Sequence, residues 1–245
     1  CLLQPAAPDR IEAVGALLLQ FFGAELGDLG QFVGDHVANG RDHRFLVRVR
    51  AAGRLWQLSR AADLEQLWEA MTADSRDFED ERLPYWTELW PSSVALASWL
   101  HSRKEDIAGQ DCLDLGCGLG LTAMVGQWLG ARVTAMDYEE QALHFAARNA
   151  KINDVPQPLW AVMDWRSPAL KAGSMHRVWG GDIMYEKRFV APVLRFLHHA
   201  LAPDGAFVRG FRQVGGAGIE EVFLAADEKR LYVLNDGGAW GGRGK

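Results

Sequence analysis

Cysteine is scarce in this sequence, and its basic residues never gather into a block. The three cysteines, Cys1, Cys112 and Cys117, are too few and too uneven for a disulfide framework. They suit a reducing, cytoplasmic compartment. Cys112 and Cys117 have no second Cys or His pair at ligand spacing, and the seven histidines are isolated or, like His198 and His199, simply adjacent. A metal site is not expected. The net charge of −6, with no run of Lys or Arg, argues against nucleic acid as the main partner. Long apolar runs are missing too. The longest near the start, residues 14–22, is broken by Gln20 and falls short of a membrane span. Asp9 and Glu12 ahead of it are wrong for a signal peptide. No membrane partner is expected.

A chain of 245 residues is long enough for one large domain, or for one domain with an appendage. The pattern divides near residue 82. Before it, Ile11, Val14, Leu17, Leu18 and Phe21 share one helical face. RFLVRVR at 44–50 alternates like a half-buried strand, 51–53 reads as a turn, and 55–58 as a returning strand. A second helix is expected at 61–71 and a charged linker at 74–82. Residues 1–82 thus read as a small α+β appendage without chemistry of its own.

Residues 83–245 alternate strands and helices. Strands are expected at 112–115, 132–137, 159–163, 177–180, 205–211 and 230–234. Helices are expected at 93–101, 121–128, 139–152, 186–200 and 219–227. Short apolar strands separated by helices predict an α/β, Rossmann-like, doubly wound and mostly parallel sheet. Its ligand site belongs at the carboxyl ends of the strands.

Glycine, by contrast, is concentrated there. Asp114-Leu-Gly-Cys-Gly-Leu-Gly120 lies between an apolar strand and a helix, and its glycines let backbone approach a ligand. A dinucleotide fingerprint needs glycine where Leu121 stands, and no Gly-Lys-Ser/Thr follows for a phosphate loop. A carboxylate at Asp114 suits a cationic amine or sulfonium and would repel a pyrophosphate. Asp137 ends the second strand, where an acid can take both hydroxyls of a ribose. Asp164 and Trp165 close the third, as acceptor for an exocyclic amine and as a flat face for a purine.

These motifs resemble those of class I S-adenosylmethionine-dependent methyltransferases over residues 83–235. By that resemblance Asp114, Gly116, Cys117, Gly118 and Gly120 hold the methionine part of S-adenosyl-L-methionine. Asp137 with Tyr138 takes the ribose, and Asp164 with Trp165 the adenine. Asp182-Ile-Met-Tyr185 looks like the Asp-x-x-Tyr motif of the seven-β-strand protein-lysine methyltransferases, which makes Asp182 and Tyr185 the catalytic pair. PYWTELWPSSVALASWL at 84–100 is similar to the segment that branch carries before its first core strand. The likeness is nearest to the electron-transfer-flavoprotein β-subunit lysine methyltransferases and their bacterial relatives. It makes Trp90 a cofactor wall, and Trp86 with Tyr85 the acceptor-side lip.

The activity implied is N-methylation of a lysine on a protein substrate by in-line displacement. A small-molecule N- or O-methyltransferase, or an inactive binding module on the same fold, is the alternative. An NAD-linked oxidoreductase conflicts with Leu121 and Asp114. The family completes its sheet with a reversed seventh strand, and only NDGGAWGGRGK follows Leu234 here. A short strand, a truncated end or the N-terminal strands are the three ways to complete that edge.

Overall fold

The computed structural model describes residues 32–33, 44–61, 85–184, 187–213, 216–224 and 231–235. Both helices and the linker expected before residue 82 lie outside them. Strands β1 (Phe32–Val33), β2 (Arg44–Ala51) and β3 (Arg54–Ala61) form an antiparallel sheet in that order. Alternation in RFLVRVR and RLWQLSRA creates the β2–β3 hairpin. Val49, Trp56 and Leu58 are buried while Arg50 and Leu55 face solvent. Ala52 and Gly53 turn the chain at positive φ, 54° and 69°, as two-residue hairpin loops require.

A short 3-10 turn, Tyr85–Thr87, leads into α1 (Pro91–Ser102), α2 (Lys104–Ile107) and the main sheet. That sheet comprises β4 (Asp111–Leu115), β5 (Arg132–Asp137), β6 (Leu159–Val162), β7 (Met175–Gly181), β8 (Leu201–Gln213), β9 (Gly216–Leu224) and β10 (Leu231–Asn235). Helices α3 (Leu121–Trp128), α4 (Glu140–Ile152) and α5 (Lys187–Ala200) connect its parallel part. The order is β10-β9-β8-β7-β4-β5-β6. From β6 to β8 every pairing is parallel; β9 and β10 then reverse. This is the mostly parallel α/β sheet read from the sequence.

One element differs. Of the helix expected at 219–227, residues 219–224 belong to strand β9, paired with β8 from Gln213↔Gly216 to Ala206↔Phe223, and 225–227 lie outside the described residues. Ile219, Val222 and Phe223 fit a helical spacing. They are also strand formers, and the glycines ahead of them supply no side-chain cap. The open edge of β8 decides in favour of pairing. The reversed strand is therefore β9, and β1–β3 belong to a different sheet.

Successive residues of β4 face opposite layers. Cys112 packs into a core with α1, α3, α4 and the hairpin, while Leu113 and Leu115 pack with Phe196 and Leu197 of α5. Gly126 of α3 marks a close helix–sheet contact, because a Cβ there would lie 2.7 Å from Cζ2 of Trp179. Trp179 is fully buried and has nowhere to move. Gly126→Ala gains about 1 kcal/mol of helix propensity, but overpacking costs about 1–3 kcal/mol. The expected result is a net loss of stability, read as a lower urea midpoint at unchanged slope.

Candidate functional site

The carboxyl ends of β4, β5, β6 and β7 surround a cavity of about 290 Å³, near the lower edge of the range usual for small-molecule sites. Its floor is the glycine loop. Gly116 and Gly118 both have positive φ, and a Cβ on Gly116 would sit 2.9 Å from Cγ2 of Ile183. Gly118 N donates to Asp137 Oδ2 at 2.8 Å, and Glu139 N to Oδ1 at 3.0 Å. Asp137 thereby fixes the loop and the entry to α4. A carboxylate has about four acceptor positions, so Asp137 still has acceptor capacity where it lines the cavity. Burial pushes its carboxyl up, and the N–H groups of Glu139, Gly118 and Tyr138 pull it back.

The third acid is more occupied. Asp164 accepts from Arg166 Nε at 3.0 and 2.8 Å through its two oxygens and from Arg166 N at 2.7 Å. The Arg166 guanidinium lies over the Tyr138 ring. Trp165 meets Phe189 of α5 edge-on at 5.5 Å. Asp164, Trp165, Tyr138 and Cys117 all line the cavity.

Opposite them stands the aromatic segment. The start of α1 is pressed onto the strand tips. A Cβ at Gly181 of β7 would be 2.6 Å from Ser93 Oγ, and one at Gly210 of β8 2.6 Å from Ser92 O. Those two glycines let α1 come close and carry Trp90 over the sheet end. Trp90 Nε1 donates to Tyr85 O at 3.1 Å, and the two rings meet edge-on at 6.2 Å. Trp86, read from sequence as an acceptor-side lip, lines the same cavity and packs against Phe145, Leu119 and Ala142. It backs the glycine loop.

Asp182 follows β7 at φ +58°, with its N–H bonded to Gly210 O at 2.8 Å. It faces the same cavity. Tyr185 lies outside the described residues. Two predicted loop positions stay out of the cavity. Gly120 is the left-handed cap of α3, held against Ala146.

Asp114 is sealed beneath the loop, fully buried, and accepts from Thr122 Oγ1 at 2.6 Å. It does not sit at the loop mouth, because it lies one residue inside the strand end and points into the α3 layer. Burial pushes its carboxyl from an ordinary 3.8 up to about 7, opposed by the Thr122 and Trp179 side chains. The native state then holds a proton that the unfolded chain releases near its ordinary value. Stability falls as pH rises through the window from 3.8 to about 7. Asp114→Asn removes that dependence, so its advantage over the parent is expected to grow between about pH 5 and about pH 8 in urea unfolding. Parallel pH profiles would contradict the buried-acid account.

Sequence reading missed Glu88, Ser93, Met163, Arg166, Ile183, Arg188, Phe189 and Pro192, all in the cavity wall. Arg188 and Phe189 lie three and four residues after Tyr185 of the Asp182–Tyr185 motif, in the first turn of α5, which was the available signal. Among the described residues no group of three or more His, Cys, Asp or Glu is arranged to hold a metal ion. Among the same residues no helix is long and apolar enough to cross a membrane.

A family described as a methyltransferase domain matches residues 112–205, from β4 into β8. That stretch of the chain is similar to a methyltransferase domain. The electron transfer flavoprotein beta subunit lysine methyltransferase of Danio rerio is 39% identical over 82 residues, which is 33% of this chain and 31% of that protein. Protein N-lysine methyltransferase METTL21A of Danio rerio is 30% identical over 131 residues, 51% of this chain and 59% of that one. The ribosomal protein L11 methyltransferase of Shewanella sp. (strain ANA-3) is 35% identical over 95 residues, 38% and 32% of the two chains. The chain therefore spans between about a third and three fifths of these relatives. The glycine loop and Asp137 suit S-adenosyl-L-methionine: close backbone for its methionine part, and acceptor capacity for ribose hydroxyls.

Proposed function

We propose that this chain N-methylates a lysine side chain of a protein substrate, using S-adenosyl-L-methionine. The observation that carries the reading is the composition of one cavity. It runs from the glycine loop to Asp182, with five carboxylates (Glu88, Asp137, Glu139, Asp164, Asp182) against two guanidiniums (Arg166, Arg188), between aromatic walls. Such a surface suits a sulfonium on one side and an ammonium on the other. Relatives named as lysine methyltransferases of proteins support that acceptor.

The bound cofactor supplies an electrophilic methyl group. The chain's part is to position and to exclude water. Gly116–Gly118 and Asp137 hold the donor, with Trp90 as wall. Asp182 binds and orients the amine, with Tyr185 beside it in sequence. A carboxylate favours the charged amine, so Asp182 is an orienting group and no general base is assigned. The ammonium would lose its proton to solvent, and the neutral nitrogen would take the methyl group in line as the S–CH3 bond breaks and S-adenosylhomocysteine leaves.

Incubation of the protein with methyl-labelled cofactor and a cell lysate tests this. Label recovered as methyl-lysine in a protein supports the reading. Label confined to metabolites favours the small-molecule alternative. Absence of S-adenosylhomocysteine formation favours a binding module.

A further inference from the structure

The N-terminal hairpin is hydrogen-bonded to the cofactor loop through the side chain of Asn149. Asn149 of α4 is fully buried, and its carboxamide makes three bonds. Oδ1 accepts from Ser59 N at 2.7 Å, and Nδ2 donates to Ser59 O at 3.2 Å and to Leu119 O at 3.0 Å. Ser59 belongs to β3, whereas Leu119 stands between Gly118 and Gly120. One turn later, Asn153 repeats the strand-like half of this pattern. It accepts from Gln57 N at 2.9 Å and donates to Gln57 O at 2.7 Å. Four helical residues advance about 6 Å and two strand residues about 6.7 Å, so the two rows stay in register. Helix α4 thus closes the free edge of β3 as a further strand would. Asn149 differs from Asn153 in having the loop carbonyl as its third partner.

A second contact supports the same connection. Arg60, the next residue of β3, pairs with Glu88 at 2.6 Å, and Glu88 belongs to the cavity wall. The hairpin therefore touches the site from behind the glycine loop and at the aromatic segment. None of it lies within the residues matched by the methyltransferase-domain family.

We propose that Asn149 is a positioning residue through which the β2–β3 hairpin sets the cofactor loop, so that hairpin docking and cofactor binding favour one another. The connection runs from Ser59 through Asn149 to Leu119, then through Gly118 N to Asp137. Coupling of this kind is reciprocal: whatever the loop gains from the hairpin, the hairpin gains when the loop is filled. This rests on the cofactor reading above.

The full chain, Asn149→Ala and Asn153→Ala are titrated with S-adenosylhomocysteine by calorimetry. Amide exchange of the parent is followed with and without the same ligand. Asn149→Ala is expected to bind about tenfold more weakly, within the range usual for coupled sites. Asn153→Ala loses a comparable clamp on β3 but no loop bond, and is expected to bind as the parent does. The Ser59 amide is expected to exchange more slowly in the complex, although Ser59 does not line the cavity. That readout stands even if Asn149→Ala fails to fold. Equal affinity in Asn149→Ala, equal loss in both variants, or unchanged Ser59 exchange in a parent that binds would each overturn the coupling alone. A parent that takes up no S-adenosylhomocysteine sinks the cofactor reading, and the coupling with it.

Discussion

Gly118→Arg is expected to lower affinity for S-adenosylhomocysteine by about a hundredfold or more, equivalent to about 2.7 kcal/mol. Three effects add. Gly118 has φ +50°, where an L side chain costs about 1–2 kcal/mol. A Cβ would lie 3.4 Å from Trp86 O, so the longer side chain has to wedge between the loop and the 3-10 turn. That displaces the N–H held by Asp137. A guanidinium would also stand where a cationic sulfonium belongs. Gly109→Ala separates strain from site damage. Gly109 has φ +71°, yet a Cβ there meets nothing within 4 Å, and it lies away from the cavity. That variant is expected to lose stability and keep its affinity. Calorimetric titration of both reads the result; a Gly118→Arg protein that binds like the parent would refute the placement of the cofactor.

The contrast between Gly118 and Gly109 shows what a sequence can and cannot carry. The loop was legible because its glycines sit between an apolar run and a capped helix, both strongly periodic. Residues 132–137 and 121–128 appear as β5 and α3 at the expected bounds. Asp137 was legible for the same reason, since a strand end fixes where its last side chain emerges. Asp114 was not. Side chains alternate along a strand, and one position separates an acid facing a ligand from one facing α3. Strand β9 was misread because Ile219, Val222 and Phe223 have helical spacing but are strand formers by residue type, and the bare edge of β8 chooses between the two. The bonds of Asn149 to Ser59 cross 90 residues of chain. No local pattern announces them, so the hairpin read as an appendage without chemistry when its β3 strand touches both sides of the site.

Asp182→Asn is expected to abolish most methyl transfer, about a hundredfold or more in kcat, while S-adenosylhomocysteine affinity stays within about threefold of the parent. The choice of asparagine follows from the backbone. Asp182 is left-handed, φ +58°, a conformation that Asn tolerates and alanine resists. Asparagine also preserves the shape of the side chain, and the N–H bond to Gly210 O is untouched. Only the charge goes. Asp182→Ala adds strain of about 1–2 kcal/mol, so its lower activity mixes folding with chemistry. If Asp182 orients an ammonium, both variants lose turnover alike and only the alanine form loses stability. If Asp182 serves only the turn after β7, asparagine retains activity and alanine alone is impaired. Turnover of Asp182→Asn equal to the parent would remove the carboxylate from the acceptor site. It would leave the cofactor half of the cavity standing, because Gly118 and Asp137 are held by bonds that do not involve Asp182.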